Sequence, residues 1–191
     1  MANTFLISDP HFGHQGVCEF ISCTGVGKLR PWETAEEMDA EMEKRWNDRV
    51  KPKDKIYILG DVAIAKKGLD ILERLNGDKV LIKGNHDIYE LKNYAKYFRD
   101  IRAYHVLEGL IFSHIPIHPE SLGRFGCNVH GHLHDRRVMK DGKIDVRYFS
   151  VCVEHHDFTP VYYEDVLKMI EWEGGVTDMR SDVTFTTQQA D

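Results

Sequence analysis

Nine side chains suited to metal binding or proton transfer stand in five short groups along this chain: Asp9-x-His11, Gly60-Asp61, Gly84-Asn85-His86-Asp87, His114 and Gly131-His132-x-His134. Imidazole nitrogens, carboxylates and one amide oxygen together suit first-row divalent ions such as Mn, Fe, Zn, Co or Ni. The set is too rich in nitrogen for a dedicated Ca or Mg cage. Alternate residues of an extended segment point the same way, so Asp9 and His11 can reach one point, as can His132 and His134. Two such ions about 3.5–4 Å apart are the usual device for clamping the attacking and leaving oxygens of phosphoester hydrolysis. One carboxylate must bridge such a pair, and Asp61, alone in its group, is the natural candidate. Asn85 offers a neutral oxygen ligand, and His86 either a ligand nitrogen or a proton.

Each group has an ordinary explanation when taken singly. Asp9-Pro10 starts turns, Asp61 suits a helix cap, Gly84-Asn85 is common turn chemistry, and His114 before Ile115-Pro116 fits a hydrogen-bonded histidine at a loop entry. Recurrence argues against those readings, because every group follows a strand-like apolar run: Thr4–Ile7, Lys55–Leu59, Val80–Ile82, Leu110–Ser113 and Cys127–His130. Ligands of open α/β sheets bind beyond the carboxyl ends of strands.

The elements that must position these groups are legible from periodicity. Thr34 and Glu37 form a capping box, and Ala35, Met38, Met42, Trp46 and Val50 recur at helical steps, which predicts a helix over 34–50. A second helix is expected through Leu69, Leu72 and Leu75, stopped by Asn76-Gly77. A third should run from about Tyr89 to Phe98. Ile101 to Leu107 and Leu110 to Ser113 read as a hairpin across Glu108-Gly109. Asp141-Gly142 marks another hairpin, followed by a strand run from Ile144 to Val153. Pro160 to Tyr163 fits an edge strand, and Glu164 to Trp172 a last helix. Residues 1–175 are expected to form one domain, and the polar segment 176–191 a flexible tail.

With 191 residues, 42% hydrophobic and 29% charged, the chain has the composition of a soluble globular protein able to bury a core. No apolar run approaches a membrane span, and no basic-then-apolar export signal is visible at Met1–Phe5. Cys18, Cys23, Cys127 and Cys152 lack paired spacing and read as reduced thiols, which predicts a cytoplasmic protein. A net charge of -6 argues against broad nucleic-acid binding. It allows a small phosphorylated substrate whose charge is met by metal ions.

The ordered motifs Asp9-x-His11, Gly60-Asp61, Gly84-Asn85-His86-Asp87, His114 and Gly131-His132-x-His134 resemble those of the calcineurin-like metallophosphoesterases. The opening Asp9-Pro10-His11-Phe12-Gly13-His14 is most similar to small bacterial and phage members. The resemblance, over about residues 4–163, implies an α/β fold: a four-layer αββα sandwich of two mainly mixed sheets flanked by helices. It implies one metal held by Asp9, His11, Asp61 and His134, and another by Asp61, Asn85, His114 and His132, with a hydroxide between them attacking phosphorus. It also implies that His86 is no ligand and instead assists the leaving group, with Asp87 orienting it through a hydrogen bond. His14, Arg124 and Arg136 lie near the motifs and are candidates for touching substrate.

The sequence departs from the protein Ser/Thr phosphatase branch, because Val62-Ala63-Ile64-Ala65-Lys66 follows Gly60-Asp61 and Asp87 stands where that branch has Glu. A phosphoprotein substrate is therefore disfavoured. The expected function is hydrolysis of small phosphodiesters, with phosphomonoesters as further substrates, using two divalent ions of which Mn²⁺ is preferred. Two rivals are a scaffold of this fold that binds protein, and a nuclease acting on short nucleic acids. No membrane or extended nucleic-acid partner is expected. The natural substrate and the oligomeric state are not legible in the sequence.

Overall fold

Two mixed β-sheets lie face to face in the computed structural model, which describes residues 2–177. The chain runs β1 (Thr4–Ile7), α1 (Ala35–Arg49), β2 (Lys55–Ile58), β3 (Asp78–Ile82), α2 (Leu91–Tyr94), β4 (Asp100–Arg102), β5 (His105–Leu107) and β6 (Leu110–Ser113). It continues through β7 (Asn128–His130), β8 (Met139–Lys140), β9 (Lys143–Ile144), β10 (Tyr148–Ser150), β11 (Val161–Tyr162) and α3 (Tyr163–Trp172). The first sheet has the order β11-β1-β2-β3-β4, parallel except for β11 at its edge. The second has the order β10-β7-β6-β5, with β5 and β6 antiparallel.

Alternation along the strands divides the core into two layers. Phe5, Ile7, Ile56 and Ile58 face Met38, Met42 and Trp46 of α1. Leu6, Tyr57, Val80 and Ile82 meet Phe112, Val129 and Phe149 of the second sheet, and Val166 and Ile170 of α3 join that layer. The expected α/β sandwich is thus observed. Loop residues 117–125, with a 3-10 turn at Pro119–Leu122, lie with Ile111 and Tyr148 on the outer face of the second sheet.

The helix predicted over 34–50 forms with its capping box: Glu37 N–H donates to Thr34 Oγ1 over 3.2 Å. Other expectations are corrected. Residues Lys66–Glu73 form a 3-10 helix, pressed against the β1 loop where a Cβ on Gly68 would strike the Phe12 carbonyl. The helix expected from Tyr89 to Phe98 is only α2, because the Tyr97 and Phe98 N–H groups both return to the Tyr94 carbonyl and turn the chain into β4. The run Ile101–Leu107 is not one strand. Its first part pairs with β3 and its second with β6, so the chain changes sheets at 103–104.

Asp141 and Gly142 do turn a hairpin, with φ of 51° and 75°. Of the strand expected over 144–153, only Tyr148–Ser150 joins the second sheet. Asp145 accepts from the Arg147 N–H and guanidinium, bending the chain before it. Val161–Tyr162 pairs antiparallel with β1, as expected of an edge strand. The polar tail expected over 176–191 falls, beyond Thr177, outside the described residues.

Candidate metal centre

All five groups of candidate residues emerge at one edge of the sandwich, at or just beyond the carboxyl ends of β1, β2, β3, β6 and β7. They do so through kinked backbone. Asp9, His11, Asp61, His132 and His134 all have φ between 52° and 70°. Non-glycine residues held in this left-handed region cost on the order of 1–3 kcal/mol each and persist where surrounding structure fixes them. Asp9 and His11 therefore converge as expected, but by left-handed turns and not by strand alternation, whereas His132 and His134, expected to reach one point, are sent by theirs to different clusters. The β1 and β2 loops are laced together, with Asp9 N–H donating to Gly60 O and His11 N–H to Asp61 O, both over 3.1 Å.

Two glycines make this close approach feasible. Gly60 has φ of +90°, and a Cβ there would lie 2.6 Å from Gly84 Cα and from His114 Nδ1. A Cβ on Gly131 would strike Ser8 Oγ and lie 2.5 Å from Asp9 Oδ2.

The side chains form two three-residue clusters able to hold a metal ion: Asp9, His11 and His134; and Asp61, His114 and His132. Asp61 stands between them. Its Oδ2 is 3.7 Å from His11 Nε2 and 3.4 Å from His114 Nε2, while its Oδ1 accepts from the His86 N–H over 2.8 Å. Asn85 Oδ1 lies 2.9 Å from His114 Nε2, which brings Asn85 into the second cluster. Asp9 divides its oxygens in the same manner as Asp61. Oδ2 receives the His132 N–H at 2.8 Å and lies 2.6 Å from Ser8 Oγ, whereas Oδ1, 3.7 Å from His11 Nε2, is buried without a hydrogen bond.

Both nitrogens of His11 are likewise buried and unpartnered. Unpaired polar atoms in a buried site are costly, and acceptors aimed at one point are what a cation satisfies. The donor set therefore fits divalent metal. His114 Nδ1 lies 2.7 Å from the Leu59 carbonyl, and His134 Nδ1 lies 3.0 Å from Glu154 Oε1. Partners of this kind fix a metal-binding imidazole's tautomer and leave Nε2 to face the ion.

The charges follow. Burial works against ionised Asp9, but the imidazoles of His11, His114 and His134 outweigh it and hold the carboxyl below its usual range. Asp61 is lowered in the same way, with burial opposed chiefly by His114. Burial also resists charge on His114 and His134, yet Asp61 and Glu154 respectively raise them. His132 is lowered by burial and by the neighbouring His114.

His86 is exposed, its ring 5.8 Å from that of His11. Asp87 takes a place different from the expected one. It is fully buried, its Oδ2 accepts from the Asp61 and Gly84 N–H groups, and its Oδ1 accepts from the Val62 N–H. No hydrogen bond joins its carboxylate to the His86 ring among the described residues; it braces the turn that carries Asp61. Of the substrate candidates, His14 lies beside His11 with ring centroids 5.7 Å apart, and Arg136 lines a cleft with His132 and His134. Arg124 stacks on Phe125 and lines neither cleft beside the ligands. His130 joins neither cluster; it is a buried imidazole with Nδ1 2.8 Å from Gly131 O, pushed down to about 4 by desolvation.

Sequence reasoning missed the buried pair Arg30 and Glu154. Arg30 Nε and Nη2 donate to Glu154 Oε1 over 3.0 and 2.7 Å. Arg30 Nη1 and Nη2 also donate to the carbonyls of Pro10 and Asp9, each over 2.7 Å. One guanidinium thus ties the Asp9 turn to the carboxylate that orients His134. Arg30 sits in a Gly-rich loop and Glu154 in a short 3-10 turn, with no periodicity to mark either.

No family model matches the sequence. The chain is 33% identical over 177 residues to the uncharacterized protein MJ1445 of Methanocaldococcus jannaschii, covering 90% of this chain and 93% of that one. Among solved structures it is similar to the protein of unknown function AQ665 from Aquifex aeolicus. The TM-score is 0.65 at 22% identity, over 88% of this chain and all of that one, a likeness of fold. A phosphopantetheinyl hydrolase from Mycobacterium tuberculosis aligns with 100% of this chain and 98% of its own, but its TM-score of 0.38 at 14% identity is too low to carry an argument.

Proposed function

The chain belongs to the family of the archaeal protein MJ1445, and from its site we propose that it is a metal-dependent phosphoesterase acting on small phosphodiesters and, more weakly, on phosphomonoesters. The observation that carries this reading is Asp61 Oδ2, set between His11 of one cluster and His114 of the other. Asp9, His11, Asp61 and His134 would hold one divalent ion, and Asp61, Asn85, His114 and His132 the other. Bound there, such ions supply Lewis acidity, lowering the pKa of water and neutralising phosphoryl charge. Mn²⁺ suits this mixed nitrogen and oxygen set.

The protein's own groups complete the reaction. Water oxygen adds to phosphorus, the bond from phosphorus to the leaving oxygen breaks, and that oxygen takes a proton. His86 is the donor in this reading: it is exposed at the site's mouth, and its backbone is pinned by its N–H bond to Asp61 Oδ1. A fixed backbone with a free ring suits proton delivery within hydrogen-bond reach. Asp87 acts at one remove, holding the Asp61 turn in place. Four free thiols agree with a cytoplasmic setting.

The test is hydrolysis of bis-p-nitrophenyl phosphate and p-nitrophenyl phosphate after chelation and Mn²⁺ return. Turnover that is lost on chelation, restored by metal and abolished in His86→Ala supports the reading. Failure of every divalent ion to restore turnover of either ester refutes it.

A further inference from the structure

Two clefts flank the candidate metal centre, one touching a ligand of each cluster and the other touching ligands of the second cluster. The first, of about 530 Å³, is bounded by His132 and His134 and by Phe20, Ile21, Leu29 and Arg136. The second, of about 520 Å³, is bounded by Asn85 and His114 and by Lys83, Tyr104, Ile115 and Ser121. His114 and His132 stand edge to face with ring centroids 5.1 Å apart, so these two rings separate the clefts.

The clefts share a composition. Each pairs an exposed aromatic ring with a cation: Phe20, 47% exposed, with Arg136 in the first, and Tyr104, 59% exposed, with Lys83 in the second. Exposed aliphatic side chains, Ile21 in one and Ile115 in the other, stand beside the rings. The first wall is also fixed in place. Ser22 Oγ and the Cys23 N–H donate to Asp135 Oδ2 over 2.8 and 2.7 Å, which ties the Phe20–Cys23 segment to the residue after His134. Phe20 in turn meets His14 edge to face at 5.9 Å, and His14 packs on His11. The wall is thus largely pre-formed and apolar, as the linings of ligand clefts are.

Resting on the phosphoesterase reading above, we propose that the substrate is a phosphodiester with two planar ester arms, one lying against Phe20 and the other against Tyr104. A phosphomonoester has one arm and fills one cleft at a time. A diester centred on the metal pair fills both, and each ring adds stacking that is tolerant of the arm's identity.

The first experiment measures Michaelis constants on the Mn²⁺-loaded protein for bis-p-nitrophenyl phosphate and p-nitrophenyl phosphate, in the wild type, Phe20→Ala and Tyr104→Ala. The diester should be preferred in kcat/KM. Each substitution should raise its KM by about 5- to 150-fold, the range lost with a base–aromatic stack, while the monoester responds to only one of the two. Calorimetric titration of metal-loaded His86→Ala protein with diphenyl phosphate and phenyl phosphate gives a readout independent of turnover. Both aromatic substitutions, added to that background, should weaken diphenyl phosphate, and only one should weaken phenyl phosphate. Metal-dependent turnover with the monoester preferred, or a diester indifferent to either ring, overturns the inference and leaves the phosphoesterase reading standing. Absence of metal-dependent turnover of both esters overturns the phosphoesterase reading itself.

Discussion

Arg30→Met is the substitution whose effect the structure fixes most tightly. Arg30 is completely buried, and the side chain of its partner Glu154 is 2% exposed. Removing the guanidinium leaves the Glu154 carboxylate buried beside His134 alone, with Oε2 already lacking a hydrogen bond. It also strips the Asp9 and Pro10 carbonyls of their donor. Breaking one side of a buried pair costs about 3–5 kcal/mol. Both variants lose the donor to the two carbonyls, but replacing both partners, as in Arg30→Met with Glu154→Leu, removes the stranded charge. In exchange it frees only His134 Nδ1, a neutral and partly exposed group whose lost partner costs about 1–3 kcal/mol. The double variant should therefore be more stable than the Arg30→Met single variant, a coupling that simple addition forbids.

The assay is urea unfolding in chelator, so that metal linkage does not enter. With a slope of about 2 kcal/mol per molar urea, the single variant's midpoint should fall by about 1.5–2.5 M. A fall under about 0.5 M, or a double variant that loses the sum of both single losses, would refute the reasoning.

Two further outcomes follow from the same surroundings. Glu154→Gln keeps the shape but weakens the acceptor for His134 Nδ1, and should cost about 10- to 100-fold in affinity at one metal site while sparing the other, measured by metal titration. His130 is 1% exposed and its folded pKa is pushed down to about 4 from 6.5, so the folded state binds fewer protons than the unfolded one between those values. Its stabilising contribution is whole above pH 6.5 and is lost as pH falls toward 4, by about 3 kcal/mol in all. Chelated wild type should thus lose more stability than His130→Gln between pH 7 and pH 4, and parallel pH profiles of unfolding free energy would count against it.

How much was legible in the sequence depends on whether a residue's role is set locally. The helix at 35–49 was readable because Thr34 and Glu37 cap it within one turn and each residue of its apolar stripe follows the last by three or four positions. The candidate ligands were readable because each follows a strand, and a strand end is marked by where the apolar run stops. Their left-handed backbone was not, since Asp9, Asp61 and His134 take positive φ only when neighbouring loops hold them there. Strand limits such as 100–102 against 105–107 depended on which sheet each half joined. Arg30 and Glu154 are 124 positions apart, and their pairing exists only once both loops fold over the Asp9 turn. Adjacency in sequence points Asp87 at His86, whereas its contacts are backbone N–H groups, two of them on the β2 loop.

The joining of two clusters through Asp61 is tested most directly by counting metal. Protein loaded with Mn²⁺ and freed of excess ion is assayed by elemental analysis as wild type, Asp61→Asn and His86→Ala. Two ions per chain in the wild type, two in His86→Ala and fewer than one in Asp61→Asn is the expected result. A wild type that retains one ion or none, or an Asp61→Asn protein that still holds two, would contradict a shared carboxylate between two metal sites.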